Sequence, residues 1–187
     1  DHHCGDCITS PRKFRIARAA LAYDKITTEV IHCFKYRGKT QLARPLSELL
    51  MMTFRNYWDD NSIDVILPVP LHIKRLMKRG FNQAYLLIRG WHLKAKQNEV
   101  DLQDFKIESD VLVRTTPTVA QTALSRSQRA INVRNAFLLK SKEKIVNQNV
   151  LLIDDVYTTG ATVNECAGVL LEHGAKRVDV LTLARAI

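Results

Sequence analysis

The segment VLLIDDVYTTGATV, at residues 150–163, constrains the fold more than any other part of this sequence. Four apolar residues run directly into two adjacent carboxylates, Asp154 and Asp155, and a turn rich in threonine and glycine follows at once. The apolar run is typical of a buried strand, and residues 162–173 show the apolar spacing of a helix. A strand, a tight turn and a helix in this order are typical of open α/β sheets, which bind ligands at the carboxyl ends of their strands.

The rest of the chain alternates between strand-like and helix-like segments. Two more apolar runs, IDVILPVP at residues 63–70 and KRVDVLTLAR at residues 176–185, predict buried strands. Apolar residues recur at helical spacing in three further segments: residues 27–35, 42–57 and 81–93. Strands that alternate with helices predict an α/β fold with a parallel sheet flanked by helices. The 187 residues suit one such domain with room for a small appendage.

The turn after the acid pair favours an anion. Residues 158–162 lie at the predicted helix start, where backbone N–H groups and the helix dipole favour a phosphate, and Gly160 allows a close approach. Carboxylates accept hydrogen bonds from vicinal hydroxyls, so a ribose phosphate would satisfy both parts of the segment. Two alternatives are a solvated acidic turn capped by threonines and the acid pair of a receiver-type domain. The second lacks the downstream lysine expected of it.

Basic residues are concentrated after the first predicted strand. The net charge of +9 favours polyanionic partners, either nucleic acid or a small phosphorylated substrate. The segment that follows the strand predicts a basic loop, and its cluster consists of Lys74, Arg75, Lys78 and Arg79. Residues 94–110 predict a surface connection, and a stretch rich in Thr, Ser and Arg over residues 115–130 predicts a mobile loop.

Nothing in the sequence predicts a membrane-bound protein. No apolar run approaches the length of about 20 residues that spans a bilayer, and no signal-peptide pattern opens the chain. We therefore expect a cytoplasmic protein without a membrane span. The sequence does not decide the oligomeric state, and a dimer stays open.

Two short motifs match known sites only in part. The sequence Gly38-Lys39-Thr40 ends like a nucleotide-binding P-loop, but that motif needs another glycine where this chain has Cys33, and it needs a preceding strand. A turn between two helices explains it better. Cys4 and Cys7 form a single C-x-x-C pair, which is half of a zinc site, and an incidental pair is an equal alternative.

Several segments together resemble one protein family. The stretch IDDVYTTGATV is similar to the phosphoribosyl diphosphate (PRPP) signature of type I phosphoribosyltransferases. More specifically, the segments FKYRGKTQLARPL, LPVPLHIKRLMKRGFNQA and ALSRSQRAINVRNAF resemble the ComF family, also called ComFC or GntX-like. The resemblance runs over nearly the whole chain. It implies a phosphoribosyltransferase-like domain over residues 14–187, with a hood over residues 14–60, preceded by the remnant of a zinc ribbon over residues 1–13.

The resemblance also implies roles for individual residues. Asp154 and Asp155 would hold the ribose 2′- and 3′-hydroxyls. The 5′-phosphate would be cradled by Thr158, Thr159, Gly160, Ala161 and Thr162. The pyrophosphate group would be bound by Lys74, Arg75 and Arg79. Arg126 and Arg129 would contact phosphates from a loop that closes over the site, and Cys4 and Cys7 would be the second pair of a Zn²⁺ site whose first pair is missing from this sequence.

Two functions from different classes remain open. The first is an enzyme that binds PRPP with Mg²⁺ and transfers the phosphoribosyl group to an unidentified acceptor. The second is a non-catalytic module of the same fold that binds single-stranded DNA during natural transformation, with which the family is associated. The basic composition is compatible with both functions.

Overall fold

The computed structural model describes residues 12–58, 62–91, 105–116, 133 and 135–186. Four residues predicted to act in the site or to bind metal lie outside these ranges: Cys4, Cys7, Arg126 and Arg129. The zinc-ribbon remnant and the closing loop therefore stay predictions.

Within the described ranges, five strands form one parallel sheet: β1 (Ala17–Ala22), β2 (Val65–Pro68), β3 (Lys106–Ile107), β6 (Asn149–Tyr157) and β7 (Arg177–Arg185). Their order across the sheet is β1-β7-β6-β2-β3. Two other described strands, β4 (Leu112–Arg114) and β5 (Phe137–Leu139), pair antiparallel in a separate small sheet. The predicted parallel sheet is confirmed.

The helices are α1 (Lys25–Tyr36), α2 (Ala43–Tyr57), α3 (Ile73–Arg79), α4 (Gln83–Ile88) and α5 (Ala161–Glu172). Short 3₁₀ turns occupy Thr40–Leu42 and Lys142–Lys144. In the part of the chain that the structure describes, no helix is both long enough and apolar enough to cross a membrane.

The core lies on both faces of the large sheet. On one face, Val150 and Leu152 of β6 belong to a buried cluster with α5 and the small sheet. On the other face, Leu151 and Ile153 join a cluster with α1, α2 and α4. Because both faces are covered, the central strands are continuous apolar runs, which is why the sequence predicted them.

The segment from residue 14 to residue 60 contributes to the sheet itself. Its strand β1 pairs in parallel with β7, with Ala17 opposite Val180, and α1 and α2 cover one face of the sheet. The sequence ARAALA of β1 was not predicted as a strand, because alanine has a weak strand preference and the pairing partner is remote in the chain. The role of this segment as a hood over an acceptor stays a prediction.

The basic segment after β2 is a helix, although the sequence predicted a loop. His72 caps the start of α3, where its Nδ1 accepts a hydrogen bond from the Lys74 N–H at 3.2 Å. Gly80 ends the helix in the left-handed conformation with φ 83°, which glycine adopts without strain. The predicted connection over residues 94–110 also contains a strand, since β3 pairs with β2 at the sheet edge.

Candidate functional site

A cleft of about 630 Å³ opens at the carboxyl ends of the central strands. It brings together residues that the sequence analysis assigned to three separate groups. The described residues of these groups that line it are Asp154, Asp155, Thr158, Thr162, Arg75 and Arg79. Of the other described residues that were predicted for the site, Gly160 and Ala161 line a small concavity next to the cleft, and Lys74 and Thr159 line neither. The acid pair, the turn and the basic segment therefore share one concave site.

The acid pair lies where β6 extends past its neighbour β2. The last residue of β2, Pro68, is opposite Ile153, so Asp154 and Asp155 stand at the open end of the sheet. Successive strand residues point to opposite faces, and this separates the two carboxylates. Asp155 points toward α1, and its backbone N–H donates a hydrogen bond to Asp154 Oδ1 at 2.8 Å. Both carboxylates therefore line the cleft, but they come from opposite faces of the sheet.

A lysine from α1 forms an ion pair with one of the two aspartates. Lys35 Nζ lies 2.9 Å from Asp155 Oδ2, and Asp155 is buried. Burial disfavours the charged form of Lys35, but the attraction of Asp155 and Asp154 outweighs it, so the pKa of Lys35 is raised above its ordinary value. Lys35 was not predicted for the site from the sequence.

Asp154 has an unusual pKa. Asp154 is half-buried and lines the cleft. Burial, followed by the negative charge of Asp155, raises the pKa of Asp154 to about 7. Lys35 and Arg114 act in the opposite direction without cancelling these effects. Asp154 can therefore exchange a proton near neutral pH.

The turn after β6 forms a small concavity at the start of α5. Its lining includes Thr158, Gly160, Ala161 and Thr162. Gly160 is the N-cap of α5 with φ 73°, and no side chain makes a capping hydrogen bond there. The first turn of a helix carries backbone N–H groups that the helix itself does not pair, and these groups favour an anion at this position.

Gly160 is required by its surroundings as well as by its backbone conformation. A Cβ atom at this position would collide with the Tyr157 hydroxyl and lie 2.6 Å from the ring carbon Cζ. Tyr157 is itself held in place, because Phe14 packs edge-on against its ring and the Arg185 guanidinium lies 5.4 Å from the ring centroid. The turn can therefore approach Tyr157 only with glycine at position 160.

Basic side chains form one wall of the cleft. Arg75, Lys78 and Arg79 come from α3, and Arg114 comes from the end of β4. Arg114 is buried with its guanidinium 5.3 Å from the centroid of the Phe137 ring. Burial lowers the pKa of Arg114, and the nearby charge of Arg75 lowers it further. These side chains concentrate positive charge in the cleft that the phosphate-type turn also lines.

Two basic residues of the cleft, Lys35 and Arg114, were not predicted for it from the sequence. Lys78 belongs to the predicted basic cluster, and its helical spacing from Arg75 puts both on one side of α3. Arg114 and Lys35 had no such local signal. Each is brought to the cleft by an element whose position depends on packing against the sheet.

Comparisons with known proteins show the family of this chain. The family model for the phosphoribosyl transferase domain matches residues 40–187. Competence protein F of Haemophilus influenzae is 31% identical over 188 residues, which cover 98% of this chain and 79% of that protein. The chain belongs to the ComF family. DNA utilization protein YhgH of Escherichia coli is 31% identical over 191 residues, which cover 98% of this chain and 78% of that protein.

More distant matches extend the comparison. Competence protein ComFC of Bacillus subtilis is 28% identical over 190 residues, which cover 98% of this chain and 72% of that protein. The crystal structure of a purine phosphoribosyltransferase from Pyrococcus horikoshii matches with a TM-score of 0.42 and 15% identity, covering 79% of this chain and 83% of its own. The family match confirms both the predicted ComF resemblance and the predicted phosphoribosyltransferase-like α/β fold.

Proposed function

We propose that this ComF protein binds PRPP together with Mg²⁺ in the cleft and transfers the phosphoribosyl group to an acceptor that remains to be identified. One observation carries the proposal: an anion-favouring turn, a pair of carboxylates and a basic wall line the same cleft. PRPP offers a phosphate, vicinal hydroxyls and a pyrophosphate in one molecule. Each of these groups has a matching chemical partner in the site.

The assignment of the ligand groups follows from charge. The 5′-phosphate belongs at the start of α5, because backbone N–H groups there favour an anion. The ribose hydroxyls belong on Asp154 and Asp155, since carboxylates accept their hydrogen bonds. The pyrophosphate belongs against Arg75 and Arg79, which form charge-assisted hydrogen bonds with phosphate oxygens.

The residues present fit Mg²⁺ carried by the substrate. Among the residues that the structure describes, no group of three or more His, Cys, Asp or Glu side chains could hold a metal ion unaided. This is compatible with Mg²⁺, which commonly binds through substrate phosphates, water and few protein ligands. Bound with PRPP, Mg²⁺ would neutralise part of the pyrophosphate charge.

The residues of the chain would orient and stabilise the reacting groups. Transfer breaks the bond between C1 of the ribose and the pyrophosphate oxygen, which leaves with the electron pair, while an acceptor lone pair forms the new bond to C1. Arg75 and Arg79 would stabilise the charge on the leaving group. Asp154 and Asp155 would hold the ribose ring in place. Arg126 and Arg129 are further candidates, and they lie outside the described residues.

Calorimetric titration with PRPP and Mg²⁺ tests the binding step. Replacing Arg75 with Gln should weaken binding by about tenfold or more, because a hydrogen bond to a charged group is lost. Arg44→Gln is the matched control, since Arg44 is exposed on α2 and does not line the cleft. Absence of PRPP binding by the unchanged protein would refute the proposal, and so would equal losses in the two variants.

Pyrophosphate release tests the transfer step. The unchanged protein is incubated with PRPP, Mg²⁺ and a panel of nucleobases and amines. Release that depends on one class of acceptor would support transfer and name the acceptor. Tight PRPP binding without pyrophosphate release for any acceptor would argue for a binding module.

A second candidate function is the binding of single-stranded DNA, and the mouth of the cleft favours it. The Tyr36 side chain is 61% exposed, and the Arg79 guanidinium lies 5.1 Å from its ring centroid. An exposed aromatic ring beside basic side chains can stack a base while the cations attract the backbone. Relatives of this chain carry the names competence protein and DNA utilization protein.

Fluorescence anisotropy with labelled single-stranded DNA tests this candidate. We expect affinity that falls with salt and survives Asp155→Asn. Tyr36→Ala should weaken binding by about tenfold, since stacking contributes about 1–3 kcal/mol per base. Tyr57→Ala is the matched control, because Tyr57 is 53% exposed with Arg18 at 4.8 Å but lies near the amino end of β1, away from the cleft. The absence of DNA binding at low salt, or an equal loss of affinity in both variants, would refute this function.

A further inference from the structure

Lys35 reaches the candidate site from a part of the chain that the phosphoribosyl transferase family model does not cover. The family match begins at residue 40, and Lys35 lies before it, in the last turn of α1. Its ammonium contacts Asp155 Oδ2 at 2.9 Å, and the two side chains are only 18% and 6% exposed. Both residues also line the cleft. This ion pair is therefore a part of the site that α1 supplies.

The Lys35–Asp155 pair is not needed to attach α1 to the protein. Ile31 and Phe34, on the same helix, are buried in the apolar cluster that covers the sheet. Burying an ammonium and a carboxylate opposes folding unless their attraction compensates, and replacing both with apolar side chains of similar volume often leaves stability unchanged. The presence of a charge pair at this position therefore points to a role in ligand binding.

The charges around the acid pair indicate what that role is. Asp154 and Asp155 lie beside a turn that favours a phosphate, and their negative charge opposes the approach of any polyanion. Lys35 contributes one positive charge at Asp155. Its contact with Oδ2 also restricts the orientation of that carboxylate.

We infer that Lys35 is a positioning residue of the ribose subsite: it fixes the orientation of the Asp155 carboxylate and offsets its charge, so that a polyanionic sugar phosphate can bind beside it. The inference rests on the proposed function, because it takes PRPP as the ligand. It adds a residue of α1 to a site to which β4, β6, α3 and the start of α5 also contribute.

Titrations of three Lys35 and Lys25 variants with PRPP and Mg²⁺ test the inference. Lys35→Met should weaken PRPP binding by at least about tenfold, because the acid pair loses its neutralising charge. Lys35→Arg should restore most of the affinity, since it keeps the charge and the side chain borders an open cleft. Lys25→Met, an equal loss of charge at the exposed start of α1, should bind like the unchanged protein.

Thermal unfolding separates this role from a loss of folded protein. Lys35→Met leaves the buried Asp155 carboxylate without its partner and should therefore lower the melting temperature, so the titrations are made well below it. Lys35→Arg keeps the ion pair and should unfold near the temperature of the unchanged protein. Unchanged PRPP affinity in Lys35→Met would overturn the inference about Lys35 while leaving the proposed function intact. A loss that Lys35→Arg fails to restore would overturn it too. If the unchanged protein does not bind PRPP, the proposed function fails, and the ribose-site role of Lys35 fails with it.

Discussion

Replacing Gly160 with Ala should damage the turn that is proposed to hold the phosphate. The residue combines two constraints, a left-handed backbone with φ 73° and a position against the buried ring of Tyr157. A Cβ atom there would lie 2.6 Å from Tyr157 Cζ and 2.9 Å from Cε2. Phe14 and Arg185 pack around the same ring and limit how far it can move.

The magnitude follows from these two constraints. A left-handed conformation costs an L-residue such as alanine about 1–2 kcal/mol. Forcing an extra methyl group into a packed site costs about 1–3 kcal/mol more. The free energy of unfolding of Gly160→Ala should therefore fall by about 2–5 kcal/mol. In a domain of this size, each kcal/mol lowers the melting temperature by about 2–4 °C.

Gly80 provides a matched control for this prediction. It has φ 83°, and a Cβ atom at this position would meet nothing within 4 Å. Gly80→Ala carries the same type of backbone strain and the same change in the unfolded chain without the collision. The difference in unfolding free energy between the two variants, measured by chemical denaturation, is the cost of the collision. PRPP titration should show a loss of affinity for Gly160→Ala alone. Equal destabilisation of the two variants would refute the argument that Tyr157 excludes a side chain at position 160.

Two further predictions concern buried charges. Asp179→Asn should lower the free energy of unfolding by about 2–3 kcal/mol, because the buried carboxylate accepts hydrogen bonds from Arg15 and from Trp58 Nε1. Glu172→Gln, which breaks an exposed ion pair, should change the free energy of unfolding by less than about 1 kcal/mol. Chemical denaturation of both variants checks this, and equal losses of stability in Asp179→Asn and Glu172→Gln would contradict the prediction. Because the pKa of Asp154 is about 7 in the folded protein and about 4 in an unfolded chain, the folded state binds the proton more tightly, and its stability should fall as pH rises through this interval. Melting temperatures measured across the interval should fall less steeply for Asp154→Asn, and equal slopes would count against the raised pKa.

The predictable parts of the fold are those with a local signal. Strands β2, β6 and β7 are apolar over most of their length because both faces are covered, and this pattern is visible without knowing the partners. Strand β1 has no such pattern, since its alanines become a strand through pairing with β7. Helix α3 was mistaken for a loop because its seven residues are too few to show a clear apolar period, and its caps at His72 and Gly80 decide its bounds.

The candidate site also has a part that local sequence signals predict and a part that they do not. The acid pair and the turn are contiguous, so strand, turn and helix signals place Asp154, Asp155 and Gly160 together from local order alone. Arg75 and Arg79 follow the end of β2, and the parallel sheet brings that end beside β6. Lys35 and Arg114 have no local relation to the acid pair.

The sequence by itself determined that this chain builds a parallel α/β sheet with an acidic strand end followed by an anion-favouring turn. It did so because each of these features depends on residues within one or two adjacent elements. Only the tertiary structure decided that Lys35 pairs with Asp155, that Arg114 is buried beside the cleft and that Tyr157 requires glycine at position 160. Charge pairing and close packing depend on distances in space, and these exist only once α1, β4 and α5 have packed onto the sheet.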